Sequence, residues 1–172
     1  MFAFEPSPVA NQALEHMIKN NKNKNIILTK AAVGKANGTV ELQLPTTKYL
    51  HSPSIIKSDS TFVAHKVPVI ALDSFDPLTD LGQIKLIKID VEGYEPDVLE
   101  GMKNLITNKR VENIFCEFNS WWLERNSSSP QQLLECVLDS GYNIYKKTNL
   151  QNNLVGHNGA KFSLQDIWFK LI

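Results

Sequence analysis

Apolar residues fall along this chain in short runs divided by polar stretches, and their spacing changes from run to run. Residues 2–4 read as a short strand. Ser7 can cap, and Pro8 open, a helix to Asn20, with Ala10, Leu14, Met17 and Ile18 recurring on its buried side. Residues 26–29 read as the next strand. Residues 40–44 and 62–72 read as two more, pairing as an excursion from the sheet, with 46–60 a polar surface loop between them. The apolar run 84–89 is followed by Gly93, Pro96 and then Val98, Leu99, Met102, Leu105 and Ile106. That spacing predicts a strand, a break, and a helix over 95–107 opened by a proline whose missing N–H has no helical partner to lose. Residues 113–118 read as a buried strand, 131–138 as a helix, and 142–146 and 164–172 as closing strands. Alternation of strand and helix predicts an α/β fold with a mostly parallel sheet and helices on both faces. The two late strands, joined by a short loop, predict an antiparallel pair at one edge. With no repeat or linker, residues 1–172 read as a single domain.

Composition narrows the function. Eighteen Lys and Arg balance eighteen Asp and Glu, which argues against a general binder of nucleic acid or anionic membranes. Lys19, Lys22, Lys24, Lys30 and Lys35 form a local basic stretch, read as a solvated helix end and loop. No run of about twenty apolar residues is present, so no transmembrane helix is expected. Residues 1–8 lack the basic flank and long apolar stretch of a signal peptide. Cys116 and Cys136 match no metal or redox spacing and read as buried thiols in a reducing, cytoplasmic compartment. The sequons at Asn37 and Asn126 carry little weight without a secretion signal.

The chemistry concentrates after the run 84–89, which delivers Asp90 and Glu92 to its carboxyl end. In open α/β sheets ligands sit just outside that end of the strands. Two acids spaced two apart there suit catalysis or binding. They equally suit capping of the following helix and its positive end, and spacing alone does not choose.

The wording of the segment does choose. IKIDVEGYEPDVLEGM, residues 87–102, closely resembles the signature of the FkbM family of S-adenosylmethionine-dependent methyltransferases. AFEPSP at 3–8 resembles that family's second-strand motif, and NIILTKAAVGKANGTVEL and VPVIALDSF follow in the family's order. The resemblance runs from Phe2 to Phe118, is most specific between Lys88 and Gly101, and beyond Phe118 is architectural. It implies a Rossmann-like methyltransferase sheet whose last strand runs antiparallel. It also implies that something is missing. Family members carry a Gly-rich loop, of the form Asp-x-Gly-x-x-x-Gly, upstream of the second-strand acid, whereas only four residues precede Glu5. The chain therefore reads as truncated at its N-terminus, without the usual first strand and cofactor loop, and is expected to bind cofactor poorly by itself.

By the same resemblance, Glu5 would hold the ribose hydroxyls of S-adenosylmethionine, against the plainer reading of a helix-start acid. Ala31 and Ala32 would let the backbone pass near the adenine, against ordinary tight packing. Asp90 would face the methyl group, as acceptor-orienting group, as base, or sharing a divalent cation with Glu92. Glu117, at the end of the neighbouring strand, is a further catalytic candidate or a solvated acid. Acceptor positioning and base catalysis rank above metal binding, because no further ligand set is evident. Glu92, Trp121 and Trp122 are substrate-side candidates, the tryptophans also reading as core cover. Glu95 and Asp97 read as helix-start acids, and His16, His51, His65 and His157 as solvated or structural.

The leading expectation is an O-methyltransferase acting on a hydroxyl of a small metabolite or sugar, with no nucleic-acid or membrane partner. A non-catalytic remnant or binding module of the same fold is the second. A metal-dependent hydrolase built on Asp90, Glu92 and Glu117 is a weaker third.

Overall fold

The structure is a computed structural model, and it describes residues 1–20, 25–45, 62–155 and 161–171. In chain order β1 (Phe2–Phe4) leads into α1 (Pro8–Asn20), and β2 (Ile27–Thr29) returns parallel to β1 with Phe2 beside Ile27. Then come β3 (Ala32–Val33), β4 (Gly38–Pro45) and β5 (Phe62–Ile70), followed by a 3-10 turn at Leu72–Ser74 and the short α2 (Asp76–Thr79). The strand expected over 62–72 stops at Ile70. Asn37 Oδ1 accepts hydrogen bonds from the Ala71 N–H and the Ser74 hydroxyl, holding the chain in the turn. The polar stretch 46–60 lies outside the described residues, as do His51 and His157.

The second half supplies β6 (Ile87–Ile89), α3 (Glu95–Glu100), α4 (Lys103–Thr107), β7 (Asn113–Asn119), α5 (Ser120–Arg125), α6 (Pro130–Asp139), β8 (Tyr142–Lys147), β9 (Gln151–Val155) and β10 (Lys161–Leu171). These strands form one sheet in the order β6-β7-β10-β8, with β9 also on β10. The architecture is mixed α/β, but the sheet is not mostly parallel and not single. Among the described strands, parallel pairing joins β1–β2, β3–β5 and β6–β7, the last extended by an Ile84–Val111 bridge, whereas β10 runs antiparallel to β7, β8 and β9, and β4 antiparallel to β5. Parallel neighbours need a crossover of about a dozen residues or more. Only residues 156–160 separate β9 from β10, so that link admits an antiparallel pair alone. The β4–β5 excursion forms, with β3, a sheet of its own.

The core lies on one face of the larger sheet. Along β7 the burial alternates, Ile114, Cys116 and Phe118 being buried and their neighbours half-buried. The buried set joins Ile89, Ile167 and Phe169 against Val98, Leu99, Met102, Leu105 and Ile106, with Leu133 and Val137 from α6. Each such side chain contributes about 1.5–3 kcal/mol by leaving water. The apolar face expected over 95–107 is therefore real, but the helix is not continuous. It breaks at Gly101, packed so closely on the Gly34 carbonyl that a Cβ there would overlap it. Asp73 then accepts from the Asn104 and Leu105 N–H groups at 2.8 and 3.0 Å, capping α4 from outside its own segment.

Two burial expectations fail. On α1 Asn11 is buried, Ala10, Leu14 and Ile18 are half-buried on the expected side, and Met17 is exposed. Cys136 is also exposed: α6 turns Leu133 and Val137 inward at i and i+4, leaving it outside the buried stripe. Among the described residues, no helix is long and apolar enough to cross a membrane.

Candidate active site

β6 ends at Ile89, and Asp90 stands just beyond it, its Oδ2 2.8 Å from the Lys88 ammonium. Residues two apart on a strand share a face. Lys88 is level with Phe115 on β7, so the same register carries Asp90 level with Glu117. Glu117 is in turn directly opposite Asp166 on β10. Adjacent strands lie about 5 Å apart, so three carboxylates stand in a row across the sheet with Glu117 in the middle. Burial pushes the Glu117 carboxyl up to about 7, with further upward pressure from Asp90, Glu92, Glu95 and Asp166. Lys88 answers this field: its hydrogen bond to Asp90 holds its ammonium above the ordinary lysine value, against the pull of burial. Among the described residues, no group of three or more His, Cys, Asp or Glu is placed to hold a metal ion.

After Asp90 the backbone turns sharply. Glu92 adopts φ 52° and Gly93 φ 90°, both in the left-handed region. Gly93 is required twice over, since a Cβ there would sit 2.5 Å from the Trp122 carbonyl oxygen of α5. Asn126 ties the two elements together, donating to the Gly93 carbonyl and to Asp97 Oδ2, each at 3.0 Å. Glu95 departs from its expected role. It is a buried side chain, 1% exposed, whose Oε1 accepts the N–H groups of Val91 and Gly93 at 3.2 Å. Asp97, half-buried, faces Asn126 and the Lys35 ammonium at 3.7 Å.

A cavity of about 900 Å³ opens between residues 1–6 on one wall and 83–92 on the other. Glu5, Ala31, Ala32, Asp90 and Glu92 all line it. Its two long walls are strand edges. Ile27 donates to the Met1 carbonyl and Glu5 to the Thr29 carbonyl, so alternation turns the backbone groups of Phe2 and Phe4 away from β2. On the other wall Ile84 gives its N–H to Arg110 and its carbonyl to Glu112, and β6 is the outermost strand of its sheet, paired with β7 on one side and with no strand on the other among the described residues. β1 and β6 belong to different sheets. At the carboxyl end of β1, Glu5 Oε1 accepts the Ser7 N–H at 2.7 Å, a helix-start contact.

Glu117, Trp121 and Trp122 are not among the residues lining this cavity. Trp122 is buried, and its ring meets Trp121 edge-on at 4.3 Å between centroids. The Arg125 guanidinium covers a face of Trp121 at 3.7 Å. His65 is exposed on β5, and His16 is exposed on α1 against Asn20. Sequence reasoning missed Lys88, Glu95 as a buried group, and Asp166. Lys88 had a signal, two residues before Asp90 on a strand. Asp166 had none, because only the β7–β10 register places it.

The profile of the methyltransferase FkbM domain family matches residues 1–144. No curated protein matches the chain. Among solved structures the fold is similar to that of the methyltransferase FkbM from Methylobacillus flagellatus KT, at 14% identity and a TM-score of 0.50. The likeness covers 96% of this chain but only 36% of that one, so the chain spans roughly a third of the length of this neighbour.

Proposed function

The chain belongs to the FkbM methyltransferase family, and we propose that it serves S-adenosylmethionine-dependent O-methyl transfer to a small hydroxyl-bearing molecule. The observation that carries this reading is the shared cavity. Glu5, at the end of β1, and Asp90 and Glu92, at the end of β6, line one space together with the small Ala31 and Ala32. That donor set fits the cofactor: a carboxylate for ribose hydroxyls and small residues where a flat ring must pass close to backbone.

S-adenosylmethionine, when bound, supplies an electrophilic methyl group on a sulfonium. The chain's own residues then have three tasks. Glu5 accepts hydrogen bonds from the ribose hydroxyls at the carboxylate sites beyond the one that holds the Ser7 N–H. Asp90, anchored by Ile89 and held by Lys88, orients the acceptor hydroxyl. Glu117 stands outside the cavity lining but level with Asp90, and from that side it takes the acceptor proton, a transfer to which a carboxyl poised at about 7 is suited near neutrality. Glu92 borders the acceptor side, while Trp121 and Trp122 stand outside the cavity lining, edge-on to each other.

The facing edges of β1 and β6 favour a second element of the reading: a strand seated between them would join the two sheets, and a Gly-rich turn at its end would complete the cofactor surface. They equally favour the alternative, in which the 172 residues alone are a non-catalytic module of the same fold. Calorimetric titration with S-adenosylmethionine separates the two. We expect weak or undetectable binding by the 172-residue chain, and micromolar binding once its N-terminus carries a family member's strand and Gly-rich turn. Failure of the extended protein to bind sinks the enzyme reading. Micromolar binding by the 172-residue chain sinks the need for the added strand.

A further inference from the structure

We infer that Glu95 is a positioning residue: its buried carboxyl clamps the Val91–Gly93 turn and thereby fixes where Glu92 stands at the mouth of the cavity. Only the consequence for catalysis rests on the methyltransferase reading; the clamp itself rests on geometry. Glu92 has a side chain yet sits at φ 52°, a conformation that costs energy unless its surroundings enforce it. Enforcement comes from both sides. Glu95 Oε1 accepts the N–H groups of Val91 and Gly93, the residues flanking Glu92, while Gly93 is backed against the Trp122 carbonyl. A single oxygen thus spans the strained residue.

A helix-start acid acts through its charge and stays in water. Glu95 does neither. It is 1% exposed, and its Oε2 has no hydrogen-bond partner among the described residues. Burial also raises its carboxyl above the ordinary glutamate value, outweighing the lowering by its backbone hydrogen bonds. What the turn requires is an acceptor oxygen at that place, and a glutamine oxygen can supply it.

Amide hydrogen exchange on the 172-residue chain tests this directly. Loss of two such bonds in Glu95→Ala should speed exchange at Val91 and Gly93 by about fivefold or more, the lower end for a pair of such bonds. The Ile89 amide in β6 should keep its rate. Glu95→Gln should restore slow exchange at Val91 and Gly93, which loss of a helix-start charge would not allow. If Glu95→Gln opens the turn as fully as Glu95→Ala, or if Glu95→Ala leaves both amides slow, the clamp is wrong. Should Glu95→Ala fail to fold, Glu92→Gly added to it decides the matter. Glycine adopts φ 52° without enforcement, so the double variant should recover folding, and no recovery overturns the clamp. These readouts need no cofactor, so they stand whether or not the chain binds S-adenosylmethionine.

Discussion

Glu117 on β7 and Asp166 on β10 are directly opposed across an antiparallel pair, two carboxylates on one face of the sheet. Like charges so placed destabilise a sheet, and Asp90 adds a third on the other side of Glu117. The protein tolerates the row because its middle member is half-buried and takes up a proton readily, with its carboxyl near 7. Lys88 offsets the row at the Asp90 end.

The pH dependence of stability follows from Glu117. Its carboxyl in the folded chain is raised from 4.5 to about 7. Between those values the folded state binds more protons than the unfolded state, so stability falls as pH rises. The contribution is complete below the unfolded value and is lost as pH passes through the folded one. Denaturant midpoints should decline from pH 5 to pH 8, and Glu117→Gln should flatten the decline. A profile unchanged by Glu117→Gln contradicts the assignment.

Gly93→Ala should be among the most damaging single changes. The residue combines φ 90° with a Cβ position 2.5 Å from the Trp122 carbonyl oxygen. The backbone conformation alone costs about 1–3 kcal/mol for a residue with a side chain, and α5 must move as well. Urea denaturation compared with Gly38→Ala, where nothing lies within 4 Å of the added carbon, measures the difference.

Asp73→Ala should uncap α4. The carboxylate receives two N–H groups of that helix across more than thirty residues of sequence, a contact comparable to an N-cap and worth about 0.5–2 kcal/mol. Asp73→Asn should retain part of it, because one acceptor oxygen remains. Equal stability of the alanine variant and the parent contradicts the capping role.

Asp90→Asn separates catalysis from folding. The Lys88–Asp90 pair is well exposed, with side chains 60% and 41% accessible, so its loss should change stability by less than about 1 kcal/mol. In the extended, cofactor-binding protein the same change should lower methyl transfer to a hydroxyl acceptor, and Glu117→Gln should lower it by about 10²–10⁴-fold if Glu117 is the base. Full activity in both variants, measured with labelled methyl donor, would remove these two residues from the chemistry.

Much of the fold was legible because it is local. The span of α1, the strands around 2–4, 113–118 and 142–146, and the apolar stripe through Val98, Met102 and Ile106 follow from periodicity, proline placement and turn residues, which act over a few positions. The family, too, was legible, because residues 87–102 carry their wording in one uninterrupted segment. Tertiary structure decided the rest. The helix over 95–107 divides because Gly101 meets Gly34 and because Asp73 arrives to cap the second half, contacts between residues far apart in the chain. Glu95 is buried, not solvated, in a turn whose Gly93 packs against the Trp122 carbonyl of α5, a contact between residues far apart in the chain. The carboxylate row exists because the β7–β10 register brings Asp166 to Glu117, and register is a property of pairing that neither strand states alone.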